Sequence, residues 1–211
     1  MSRAAASPPL VPPAKQEHEA TMFGIGIFLA SEFLLFGGLF TILVFYRIVH
    51  GHEVVEASKE LHLWIGALNT VVLLTSSLAA ALAAKSAKDG DQRLTQRLLM
   101  AAAALGAVFL VIKAGEYSLE YGDGMLPVPG GGGQLVEPLS RLFMNIYLVA
   151  TGLHAVHLTI GIGLFVFTAF RIWRRSIRLP QDQLSIVVPT LYWHLVDIVW
   201  IFLYPALYLQ R

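Results

Sequence analysis

The chain has 211 residues, of which 56% are hydrophobic and only 14% charged, against roughly 25% charged usage in a soluble domain. A formal net charge of +1 gives no support to nucleic-acid binding, and the absence of cysteine excludes a disulfide framework, a thiolate metal centre and a thiol nucleophile. This is membrane composition, in which any metal would need His, carboxylate or Met ligands.

Residues 1–20 contain the stretch SPPLVPPAKQEHEA, which lacks the basic start, apolar core and small-residue cleavage site of a secretory signal. They read as a flexible cytoplasmic arm ahead of a single membrane domain over 21–211. A membrane helix needs about 20 mostly apolar residues to cross a hydrocarbon layer roughly 30 Å thick. Five segments meet that requirement: Met22–Val49, Leu61–Ala84, Leu98–Leu119, Leu142–Trp173 and Val187–Leu209. The expected fold is therefore all-α, a five-transmembrane-helix bundle.

In the first span, Glu32 follows Met22 by ten residues, or about 15 Å at a rise of about 1.5 Å per residue. An acid near the midplane needs a partner, water or a proton. A hydrogen-bonded structural acid, a proton-linked role, ion coupling and partner contact all fit, and Phe28, Leu35 and Phe36 are spaced to cover its face. The second span carries Asn69 and Thr70, with Thr75, Ser76 and Ser77, suited to packing and interhelical hydrogen bonds. Near the end of the third, Lys113 can pair with Glu116 or Glu120 on nearby turns, and a desolvated pair there could organise a subunit contact.

His154 and His157 in the fourth span lie three residues apart, as do His194 and Asp197 in the fifth, so each pair can share a helix face. Three imidazoles and a carboxylate suit a first-row metal, while interhelical hydrogen bonds explain the same residues without one. Asp197 can orient an imidazole or accept the indole N–H of Trp193 or Trp200. Trp64, Trp173, Tyr204 and Tyr208 near span ends suit interfacial belts.

Ten of the 15 fixed cations fall in the N-terminal arm and in the second and fourth connections, so the positive-inside rule favours a cytoplasmic N-terminus and an external C-terminus. Arg171, Arg174 and Arg175 in FRIWRRSIR also suit anionic lipid headgroups. The longest connection, EYGDGMLPVPGGGGQLVEPLS, combines breakers with acids and reads as an external loop or a short interfacial element.

At YWHLVDIVWIFLY, residues 192–204, the chain closely resembles subunit III of the haem-copper respiratory oxidases. FLASEFLLFGGLF resembles a family helix whose buried acid maps to Glu32. LNTVVLLTSS resembles the helix after it, KAGEY the acidic end of the third common helix, and TGLHAVHLTIG the paired-histidine helix. These patterns follow in order across residues 22–209.

The resemblance implies a five-helix bacterial form equivalent to the last five helices of the longer, seven-helix form. It implies a non-catalytic structural and regulatory subunit of a proton-pumping terminal oxidase of the bacterial inner membrane, which reduces dioxygen to water using cytochrome c or quinol. Haem and copper are then expected in the partner catalytic subunit I, with subunit II a further partner and no redox cofactor in this chain. Glu32 becomes the proton-linked candidate. Asn69, Glu116, His154, His157, Trp193, His194, Asp197 and Trp200 become structural or interface residues. The longer form houses lipid in a cleft made with its first two helices, so phospholipid binding here falls to arginine and tryptophan side chains. A subunit accompanying nitric oxide reductase is the alternative. An independent ion-coupled transporter is a remoter one, which more naturally shows inverted repeats or broken half-helices.

Overall fold

A computed structural model describes residues 13–52, Val55, Ser58, 63–122 and 138–209. It contains five long helices: α1 Pro13–Val49, α2 Leu63–Lys88, α3 Gln92–Gly122, α4 Pro138–Trp173 and α5 Leu184–Tyr208. Each is long and apolar enough to cross a membrane, and the chain is a multi-pass membrane protein. The expected all-α, five-span architecture is the observed one.

The helices overrun the apolar runs because helical hydrogen bonding continues where the side chains turn polar. Helix α1 begins at Pro13, inside the stretch read as a flexible arm, and α3 extends from Leu98 back to Gln92. Proline is well placed in a first turn, since its missing N–H would have had no intrahelical partner. Residues 1–12 and 123–137, with the four-glycine run, lie outside the described residues.

The α2–α3 hairpin is fixed by a short turn. Gly90 adopts φ +80°, the left-handed region that costs glycine nothing, and Asp91 Oδ1 accepts from the Leu94 N–H at 3.0 Å as an N-cap. Thr95 ties the two arms together by donating to Ser86 Oγ at 3.1 Å. Helix α4 ends with Arg175 at φ +55°, and the Ser176 N–H reaches back to the Arg171 carbonyl at 3.0 Å, which is Schellman closure.

Helices α2, α3, α4 and α5 form a ring in which each packs against its two neighbours, and α1 lies outside it, where among the described helices it packs against α5 and α4 alone. The α3–α5 diagonal is bridged by side chains. Trp193 on α5 stacks on Phe165 at 4.7 Å and fills space left by two glycines: a Cβ at Gly106 of α3 would lie 2.6 Å from its ring, and one at Gly161 of α4, 2.8 Å. Trp200 packs edge-on against Phe109 at 4.8 Å. Helix α5 is the hub, with 56% of its span buried against 11% for α1.

The same change at two glycines of α3 should have different effects. Gly106→Ala is expected to lower the thermal unfolding midpoint of the detergent-solubilised chain, overpacking costing about 1–3 kcal/mol. Gly115→Ala, where a Cβ meets nothing within 4 Å, should be neutral or stabilising by up to about 1 kcal/mol through helix propensity.

Candidate functional site

Glu32 meets His157 across the α1–α4 contact, with Oε2 and Nε2 2.8 Å apart. The side chains are 14% and 12% exposed respectively, so the pair is nearly desolvated. Phe36, one turn on from Glu32, sets its ring edge-on to the imidazole at 5.2 Å, and Phe28 packs against Tyr192 at 6.0 Å. Leu35 is half exposed and does not close the site.

The tautomer of His157 follows from its other nitrogen. Nδ1 lies 2.8 Å from the Leu153 carbonyl, which can only accept, so Nδ1 carries a hydrogen. The Glu32–His157 contact then encloses a single proton, either on the carboxyl or on Nε2. Both arrangements are neutral overall, and the proton can change owner without adding net charge to the membrane interior.

The two histidines of α4 do not work as a pair. His154 is fully buried inside the ring, its imidazole 5.0 Å from the Trp200 ring and 5.6 Å from Phe109, and neither nitrogen has a hydrogen-bond partner. His194 turns toward α2, where Nδ1 lies 2.7 Å from Ser77 Oγ. Asp197 is 3% exposed, and Ser77 is its polar neighbour, although neither carboxyl oxygen reaches hydrogen-bond geometry.

The indole bonds expected of Asp197 are not formed. Trp200 Nε1 donates to Thr70 Oγ1 at 3.1 Å, and Trp193 Nε1 has no partner. Asn69 is fully buried with both amide atoms unpartnered. A common spacing of three residues placed each pair on one helix, but the rotation of α4 points His157 at α1, away from α5. Among the described residues, no group of three or more His, Asp or Glu could hold a metal ion, so the four-ligand arrangement is not assembled.

A second polar cluster occupies the end of the ring where α3 terminates. Lys113, Glu116 and Glu120, three and four residues apart on α3, are all buried, at 2%, 1% and 0% exposure. The Lys113 ammonium donates to Glu116 Oε2 at 2.9 Å, to Tyr147 Oη at 2.8 Å and to Tyr208 Oη. It also lies within 5.7 Å of the rings of Tyr117, Tyr147, Trp200 and Tyr208, a cage whose faces attract a cation. The Tyr117 and Thr151 hydroxyls bond beside it.

Glu116 thus faces the interior of its own bundle, where a subunit contact had been an option. Tyr208, expected in an interfacial belt, is fully buried in this cluster, while Trp64 and Trp173 are 84% and 65% exposed. Tyr208 ends its helix but points into the bundle. Tyr147, absent from the sequence-based candidates, shares the i, i+4, i+7 face of Thr151 and His154, and that periodicity was the available signal.

Beside Glu32 and His157, a cavity of 380 Å³ lined by Phe28, Leu164, Val188, Pro189 and Tyr192 opens between α1 and the α4–α5 pair. A second, of 370 Å³, shares Leu164, Val188 and Pro189 with it and reaches Thr21, Arg171 and Ser185. Arg171 therefore lies at one end of an apolar groove and the Glu32–His157 pair at the other. Arg174 instead lies over the Phe170 ring at 5.1 Å, and Arg175 closes the helix end.

The family model for cytochrome c oxidase subunit III matches residues 137–210, a stretch that includes His157, Arg171, Asp197 and Tyr208. Cytochrome c oxidase subunit 3 of Thermostichus vulcanus is 31% identical over 196 residues, covering 93% of this chain and 90% of that protein. The protein of the same name from a Synechocystis strain is 30% identical over 189 residues, covering 89% of this chain and 75% of its own length. A probable quinol oxidase subunit 3 of Staphylococcus epidermidis is 27% identical over 195 residues, covering 92% and 90%. At 30–31% identity over most of both chains, the chain belongs to the cytochrome c and quinol oxidase subunit III family.

Proposed function

We propose that this chain is a non-catalytic structural and regulatory subunit of a proton-pumping terminal oxidase of the bacterial inner membrane. Its partners are the catalytic subunit I, which carries the haem and copper that reduce dioxygen, and subunit II. Relatives named for cytochrome c and for quinol oxidases support either electron donor. The excess of cations in the connections at the α1 entrance, α2–α3 and α4–α5 supports a cytoplasmic N-terminus.

The observation that carries a proton-linked role is the 2.8 Å contact between Glu32 Oε2 and His157 Nε2, which leaves room for one shared proton. A neutral pair can pass or hold that proton without the cost of a bare charge in hydrocarbon, and it sits at the seam where α1 joins the ring, with a groove alongside. The groove and Arg171 suit one acyl chain and the anionic headgroup of a phospholipid, with Arg174 and Arg175 outside it on the same membrane face. His154, His194, Asp197, Asn69, Trp193 and Trp200 are interior supports of the ring.

Three measurements test this reading. Mild solubilisation should bring the chain down with a haem- and copper-bearing oxidase; recovery alone, or with a nitric oxide-reducing partner, would contradict it. Glu32→Gln keeps the shape and can still donate to His157 but has no transferable proton, so the complex should assemble normally with altered proton uptake or faster inactivation during turnover. Unchanged turnover, proton stoichiometry and inactivation rate in the intact complex would remove the proton-linked role. Arg171→Gln should reduce the anionic phospholipid co-purifying with the complex, read by lipid mass spectrometry, whereas Arg174→Gln should not.

A further inference from the structure

Around Lys113, the hydrogen-bonding protons can be assigned one by one. An ammonium has three N–H donors, and all three are used, on Glu116 Oε2, Tyr147 Oη and Tyr208 Oη. The Tyr208 hydroxyl donates to Glu116 Oε1 at 2.7 Å, and the Tyr147 hydroxyl to Glu120 Oε1 at 2.7 Å. Glu116 thus accepts on both oxygens and balances the charge of Lys113 at 2.9 Å. It is the carboxylate of the cluster.

Glu120 is the remainder. Its side chain is fully buried and Oε2 has no partner, a rare condition for a buried polar atom that calls for an explanation. Among the described residues one cation faces two carboxyl groups, so a second negative charge would have to share the counter-charge of Lys113 in a low-dielectric interior. Among the described residues the facing groups are Lys113, Glu116 and Tyr117 from α3, Tyr147 from α4 and Tyr208 from α5, with no second cation among them. His154 lies deeper on α4, and α2 offers Gly66 against the Tyr204 and Tyr208 rings.

We propose that Glu120 is a proton-binding site, holding one exchangeable proton on Oε2 that it takes from and returns to the water at this end of the bundle. Glu120 lies two residues before the end of α3 at Gly122, beside Tyr121, which is 48% exposed, so the route to water is short. On release, the Oε2–H bond breaks and the proton passes to an entering water. The new carboxylate then shares Lys113 with Glu116 and keeps the Tyr147 hydroxyl as donor. The site is separate from Glu32–His157, whose proton lies between two partners at the α1 seam, and the inference does not depend on which complex the chain joins.

Infrared spectroscopy of the full chain in lipid nanodiscs tests it through the carboxylic-acid C=O stretch, which carboxylates lack. Relative to wild type, Glu120→Gln should remove the signal of one protonated carboxyl, and in wild type that signal should shift in D2O and fade with rising pH. Glu116→Gln should also remove it, because Glu120 then becomes the sole counter-ion of Lys113. If Glu120→Gln does not fold, Glu120→Asp should keep the signal at a displaced frequency. A wild-type C=O signal that persists unchanged in Glu120→Gln, or that survives Glu116→Gln at full intensity, would overturn the assignment.

Discussion

The packing of Trp193 between Gly106 and Gly161 is the interaction on which the ring of α2 to α5 depends. Lipid tails are as apolar as leucine, so helices in a bilayer gain little by hiding hydrophobic surface from one another and associate through close packing and polar contacts. Two glycines on neighbouring helices let a large indole reach across from α5, and Phe165 closes over it. Further along α5, Trp200 makes the corresponding reach to Phe109 and anchors its N–H on Thr70. One helix thus supplies the filling for the whole ring.

Around that apolar frame the polar groups are segregated. The Lys113 cluster lies at one end of the ring, satisfied by tyrosine hydroxyls and enclosed by aromatic faces. Glu32 and His157 lie outside the ring, at the seam with α1, where a groove leads toward Arg171. Placing ionisable groups in paired, nearly neutral sets follows from the cost of an isolated charge in hydrocarbon. It also separates a site with both proton partners defined from one, at Glu120, with an oxygen left over.

The number, order and approximate position of the helices were legible because a bilayer demands long apolar runs. Their ends were less so: Pro13–Thr21 and Gln92–Arg97 are polar yet helical, since backbone hydrogen bonding does not stop where hydropathy does. Single-helix geometry was legible too, as with Lys113, Glu116 and Glu120 on one face. What spacing could not supply was the rotation of one helix against the next. That is why His157 met Glu32 and left His154 alone among aromatics, why His194 bonded Ser77, and why Tyr208 turned into the bundle instead of out to the interface.

The placement of α1 has a mechanical side. Because among the described helices it touches only α4 and α5, the ring is complete without it, and α1 is an outrigger whose moorings include Phe40 against Phe202 at 6.2 Å and Glu32 against His157. Most of its length is exposed in the isolated chain, including Phe23, Phe33, Leu34, Phe45 and Ile48. Sideways displacement of such a helix would separate Glu32 from His157, its hydrogen-bond partner, so the berth of α1 and the custody of a proton are the same degree of freedom. Whatever presses on the outer flank of α1, lipid or protein, would act on that proton without entering the bundle.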